Sequence, residues 1–138
     1  MNYEQLKKDL IRHEGLRLTP YLCSSDKLSI GVGRNLDDRG ITEEEAMVLL
    51  DNDINICIRE LLDNLTFYNR MPDDIKEILV NLTFNMGMPT LLKFQKMLGH
   101  IEAGRFEEAS AELLNSRYAK QVKGRAVELA SRMANVGA

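Results

Sequence analysis

Between Asp73 and Met86 the chain places Ile75, Ile78, Leu79, Val80, Leu82, Phe84 and Met86 within one helix-length segment, and Gly87 and Pro89 close it. A helix that is apolar nearly all round cannot stand on a surface; it has to run through a core that other elements supply. The remaining helical patterns qualify as that supply. One starts near Thr42, where Thr42 and Glu45 form a capping box with Glu43 and Glu44 in the first turn. Its expected buried stripe is Ala46, Leu49, Leu50, Ile54, Ile58, Leu61 and Leu62, with Cys57 on the same side. Shorter helices are expected at about 90 to 102, 105 to 115 and 124 to 134, and a polar break at Asn69 to Pro72.

The N-terminal part changes period. Leu6, Leu10 and Ile11 recur at helical spacing, and Gly15 ends that helix with Glu14 at its exit. After the polar run Ser24 to Lys27, Leu28, Ile30 and Val32 alternate with Ser29, Gly31 and Gly33, which reads as a small hairpin. The expected class is α+β and mostly helical, one domain over 1–138. It has a small hairpin-bearing lobe at about 14–40, a long connecting helix, and a helical lobe at about 66–138 that includes the N-terminal helix. A cleft between lobes is the expected ligand site.

Composition narrows the function classes. The 138 residues carry 18 basic and 21 acidic side chains, a net charge of −3, which argues against a dedicated nucleic-acid binder. Two cysteines and two histidines are too few for a Cys/His zinc cluster or a disulfide scaffold, so no metal or cofactor is expected. No apolar run reaches the ~18 residues of a membrane span. The first fifteen residues lack a continuous apolar stretch, so neither a secretory signal nor stable membrane insertion is expected.

Most acidic residues fit solvated helix surface, and a helix-end glutamate is ordinarily exposed as well. Glu14 stands apart because of the run around it, His13-Glu14-Gly15-Leu16-Arg17-Leu18-Thr19-Pro20-Tyr21. A carboxyl group pressed against apolar neighbours has a raised pKa and can serve as a general acid. That run, followed by Leu28-Ser29-Ile30-Gly31-Val32-Gly33, resembles the active-site region of phage-type lysozymes, the endolysin muramidases of glycoside hydrolase family 24. Their signature is a Glu, eight residues, an Asp or Cys, five residues, a Thr, then I-G-x-G; Glu14, Cys23 and Ser29 fall on that spacing. Three further segments match in order: Gly40 to Ala46, Asn81 to Gly87, and Ser116-Arg117-Tyr118 with Gln121 and Arg125-Ala126.

The resemblance implies a lysozyme-like two-lobed fold and cleavage of peptidoglycan at the β-1,4 bond between N-acetylmuramic acid and N-acetylglucosamine. Such chemistry needs one acid at the leaving oxygen and a second group that handles water or the oxocarbenium centre. The resemblance gives Glu14 the acid role. It makes Cys23 the second group and lets the Ser29 hydroxyl position water. Arg125 matches the family's arginine that reaches back to the catalytic glutamate. Asn85, Phe84 and Gln121 are candidates for sugar contact, and Arg34 for bracing the small lobe by pairing with Asp53. A thiol is mostly uncharged near neutral pH, and an ionised Glu14 nearby would raise its pKa further, so Cys23 is a weak base unless a partner lowers it. A small buried cysteine is the competing reading of Cys23, and core packing that of Cys57. Spacing neither requires nor excludes a Cys23–Cys57 bridge.

By the same resemblance the partner is bacterial peptidoglycan, and the protein is a monomer without a cofactor. It is made in the host cytoplasm, acts on the wall in the periplasm, and needs a holin for access. The alternative function is a catalytically weak cell-wall-binding module on the same fold, since −3 gives no attraction to an anionic envelope. A helical protein-interaction domain leaves the ordered motifs unexplained.

Overall fold

The computed structural model describes residues 1–137, which fall into two compact units, Met1–Leu49 and a second beginning at Leu50. The class is α+β and mostly helical, as the periodicities predict.

The first unit opens with α1 (Tyr3–Glu14). The Asn2 side chain accepts from the Gln5 N–H at 3.0 Å, satisfying one of the donors a helix start leaves free. Gly15, at φ +81°, ends the helix by donating its N–H to the Ile11 carbonyl at 2.8 Å. The expected hairpin is a three-stranded antiparallel sheet, β1 (Arg17–Leu22), β2 (Leu28–Gly31) and β3 (Arg34–Asn35), in that spatial order. Tyr21 pairs with Ser29, and Ser29 with Asn35. The β1–β2 register slips between Arg17 and Tyr21, the stretch that holds Pro20, a residue with no N–H for the ladder.

Two details of the alternating segment depart from expectation. The strand stops at Gly31, because Gly31 and Gly33 both take positive φ (+71° and +66°) and turn the chain into β3. The polar residue of the pattern, and not the apolar ones, faces inward. Ser29 is 2% exposed and is the one buried residue among the first forty-nine, whereas Leu28 and Val32 remain exposed.

Helix α2 (Glu43–Asn64) starts with the expected capping box: Glu45 N–H donates to Thr42 Oγ1 at 3.1 Å, and Thr42 N–H to Glu45 Oε1 at 2.8 Å. Its predicted stripe is buried only at Cys57 and Leu61, and Leu49, Leu50 and Leu62 stay exposed. Apolar spacing marks a face; it becomes buried only where a core meets it, and on α2 that happens near the C-terminal end, where Leu61 and Leu65 join the helical core.

The second unit is built on α3 (Asp73–Met86), preceded by a 3-10 turn at Tyr68–Arg70. Ile75, Ile78, Leu79 and Leu82, spaced i, i+3, i+4, i+7, have no exposed surface. The segment is nevertheless not enclosed all round, since Phe84 stands 47% exposed. Gly87 ends α3 at φ +83°. The single helix expected over 90–102 is two, α4 (Met88–Leu91) and α5 (Gln95–Glu102). Next come α6 (Phe106–Leu114), α7 (Arg117–Val122) and α8 (Gly124–Ala134). The sequence reading did not separate α7. Ser116 starts it, its Oγ accepting from the Ala119 N–H at 3.1 Å. Helix α6 packs on α5 and α8, and the buried Ser110 hydroxyl donates to the Ala130 carbonyl at 2.7 Å. Each fully buried aliphatic side chain here contributes roughly 1.5–3 kcal/mol. No helix among the described residues is long and apolar enough to cross a membrane.

Candidate active site

In the first unit the helix exit, the β1–β2 turn and strand β2 carry three of the expected site residues. Glu14, the last residue of α1, is exposed, as a helix-end glutamate ordinarily is, and is not enclosed by apolar groups. Its carboxylate lies against the backbone of Gly33: a methyl placed on Gly33 would stand 3.3 Å from Glu14 Oε2. The I-G-x-G turn therefore brings bare main chain up to the acid, and the missing side chain makes the approach possible.

Cys23 sits in the turn between β1 and β2, half-buried, its own N–H donated to the Lys27 carbonyl at 2.9 Å. The backbone at Lys27 and Ser25, which closes the turn around the sulfur, holds its thiol below the ordinary cysteine range. This is the pKa-lowering partner that the sequence does not reveal, and it is main chain. Glu14 is not among the groups that shift the thiol. Ser29 projects from β2 on the buried side, and its Oγ donates to the Lys27 carbonyl at 3.3 Å. Cys23 and Ser29 are thus brought together around Lys27. Both cysteines are free, and burial pushes the Cys57 thiol up.

Arg34 braces the sheet, through a partner other than Asp53. Its guanidinium meets Glu45 in a fork, Nη1 to Oε1 at 2.8 Å and Nη2 to Oε2 at 2.7 Å, and Nη1 also donates to the Gly40 carbonyl at 3.1 Å. Glu45 was read only as a helix cap; it is cap and counterion at once. The pair and the Thr42 backbone hydrogen bond hold its carboxyl at about 2.

The helical unit holds the other four candidates. Arg125, on α8, donates from Nε to Asn81 Oδ1 at 2.8 Å and from Nη2 to the Asn81 carbonyl at 3.3 Å. Arg125 and Phe84 line one groove of about 290 Å³, together with Glu77 and Asn81. Asn85 and Gln121 line another, of about 560 Å³. There the Tyr118 hydroxyl donates to Asn85 Oδ1 at 2.7 Å, and burial pushes the phenol pKa up, so the donor stays protonated. Asn81 is a residue the sequence reading quoted without a role. An amide in the most apolar stretch of α3, between Val80 and Leu82, is the signal that marks it, since it needs a partner.

A family model described as phage lysozyme matches residues 11–134, a span that includes every one of these residues. The chain belongs to the phage lysozyme family. No curated protein sequence matched it in the same comparisons. Membership makes the chain a lysozyme-type peptidoglycan hydrolase, a glycosidase. For a phage lysozyme, the first unit presents an accessible carboxylate, a thiol that the backbone around it biases toward thiolate, and a buried hydroxyl. Glycoside hydrolysis asks for an acid at the leaving oxygen and a second group at the water or the oxocarbenium centre, and the carboxylate is of the first type.

Proposed function

We propose that the protein is a muramidase that cleaves the β-1,4 bond between N-acetylmuramic acid and N-acetylglucosamine and so lyses bacteria. The apposition of Glu14 and Gly33 carries this reading: a carboxylate at a helix exit, open to solvent, beside main chain too bare to block a sugar. Glu14 protonates the leaving oxygen. Cys23, as thiolate, takes a proton from water or faces the oxocarbenium centre, and Ser29 positions the water. Arg125, Asn85, Phe84 and Gln121 bind or orient substrate in the helical unit, and Arg34 holds the sheet in place.

By the same family analogy the enzyme works as a monomer, without cofactor. It accumulates in the host cytoplasm and reaches the wall in the periplasm after a holin has opened the membrane. The test is lysis of chloroform-permeabilised Gram-negative cells, with reducing ends of the released muropeptides identified by mass spectrometry. Muramic-acid reducing ends from the wild type, and nearly none from Glu14→Gln, are expected. Binding to sacculi without bond cleavage would assign the chain to the wall-binding alternative.

A further inference from the structure

Lys123, exposed between α7 and α8, is held at φ +41° and ψ −100°. That is the first central position of a type II′ turn, which belongs to glycine, and a lysine is strained there. A glycine stands one residue further on. Gly124 takes no positive φ, and a methyl built on it would meet nothing within 4 Å, so nothing in the observed position calls for glycine. Lys123 serves both helices. Its N–H is donated to the Ala119 carbonyl at 2.9 Å, ending α7, and its carbonyl accepts the Val127 N–H at 3.0 Å, starting α8. Two ties to α3 hold the strain in place. Before the junction, Tyr118, the one buried residue of α7, donates to Asn85; after it, Arg125 donates to Asn81. Asn81 and Asn85 are about one helical turn apart and share a face of α3. Helix α7 has six residues, too short to persist without such ties.

We propose that the α7–α8 junction is a two-position hinge that docks and releases Arg125. In the observed position Lys123 bears the left-handed turn and Arg125 is docked on Asn81. In the other position the turn passes to Gly124, the residue that adopts it without strain, and Lys123 joins α7. The Gly124 N–H then bonds the Lys120 carbonyl, Val127 gives up the Lys123 carbonyl, and Arg125 leaves Asn81. Relief of the lysine strain offsets the hydrogen bonds given up, which keeps the two positions close in free energy. The inference rests on the reading of Arg125 as a residue that binds or orients substrate. In the observed position Asn81 engages that guanidinium twice, through its side chain and its carbonyl, so a step that frees it is required.

The test is native-state hydrogen exchange of the intact protein, read at single amides by NMR, together with steady-state hydrolysis of soluble peptidoglycan fragments. In the wild type the Val127 amide, which loses its acceptor in the second position, should exchange faster than that of Lys123, which keeps Ala119 in both. Two variants disfavour the second position for different reasons. Lys123→Gly removes the strain from the observed position, and Gly124→Ala puts a side chain where the second position needs positive φ. Each should slow exchange at Val127 by about fivefold or more beyond any change at Leu79 in the core of α3. Asn81→Ala, which frees the guanidinium, should speed it. Because only the released arginine meets substrate, Lys123→Gly and Gly124→Ala should raise KM by a factor similar to that excess and leave kcat unchanged. A merely structural role would slow Val127 and Leu79 by the same factor and leave KM alone. Equal slowing at the two amides, unaltered exchange in either variant, or an unchanged KM would overturn the proposal. Exchange needs no substrate, so a wild type without hydrolysis would refute the catalytic reading and leave the amides of Val127 and Leu79 to decide the hinge.

Discussion

Arg34 and Glu45 are joined by two parallel charge-assisted hydrogen bonds, 2.8 and 2.7 Å, across the turn that leads from β3 into α2. Glu45 at the same time receives the Thr42 N–H, so one carboxylate ties the sheet to the helix start. Its folded-state pKa, about 2, lies below the ~4.3 of an unfolded glutamate. The stabilisation is therefore complete above the unfolded value and is lost as pH falls from there toward about 2. The thermal midpoint should decline through that window in the wild type and decline less steeply in Glu45→Gln. In a double-mutant cycle with Arg34→Gln at pH 7, the two losses should be clearly less than additive.

Gly33 tests whether the turn sets the acid. Both Gly33→Ala and Gly31→Ala force a side chain into positive φ, which costs about 1–2 kcal/mol. The Gly31 methyl meets nothing within 4 Å, whereas the Gly33 methyl stands 3.3 Å from Glu14 Oε2. Denaturant curves should show similar losses for the two. Hydrolysis of sacculi by Gly33→Ala should fall at least about tenfold further than by Gly31→Ala, because a small displacement of a catalytic group costs orders of magnitude in rate.

The two thiols should differ in reactivity. The backbone around it holds Cys23 low and burial holds Cys57 high, so iodoacetamide at pH 7 should modify Cys23 first. The pH dependence of that modification should have its midpoint below that of a free cysteine run in the same assay. Alkylation should abolish activity in the wild type and in Cys57→Ala. Cys23→Asp should remain active, resist the reagent, and extend activity to lower pH. Full activity of Cys23→Ala would leave Glu14 as the one indispensable catalytic side chain.

Arg125 depends on Asn81 for its direction. Removing the acceptor in Asn81→Ala should cost about 1.5 kcal/mol, the lower range for a hydrogen bond to a charged group. Asn81→Asp, which keeps an oxygen in place, should retain most of that stability in urea denaturation.

Stability of the helical unit should follow burial rather than hydrophobicity. Leu79→Ala, at a site with no exposed surface, should cost about 2–5 kcal/mol. Leu18→Ala, at a strand position 84% exposed, should stay within about 0.5 kcal/mol in the same assay.

Local chemistry made much of this molecule legible from its residues alone. Thr42 with Glu45, and Gly15 and Gly87, mark helix ends because caps and positive-φ stops act within three or four residues of chain. The core face of α3 follows from the spacing of Ile75, Ile78, Leu79 and Leu82, and the ordered motifs from Glu14 to Arg125 place the chain in its family.

What tertiary structure decided are the pairings between distant positions and the side of each face that meets a core. Arg125 finds Asn81 forty-four residues away, and Asn85 finds Tyr118 across thirty-three. Arg34 chooses Glu45 over Asp53 because the β3–α2 connection brings the capping carboxylate to the guanidinium fork. Ser29 is buried and Leu28 exposed because the sheet's register, and not the polarity of the pattern, sets which face is covered. The thiol of Cys23 is tuned by the main chain at Lys27 and Ser25, which no side-chain pattern can announce.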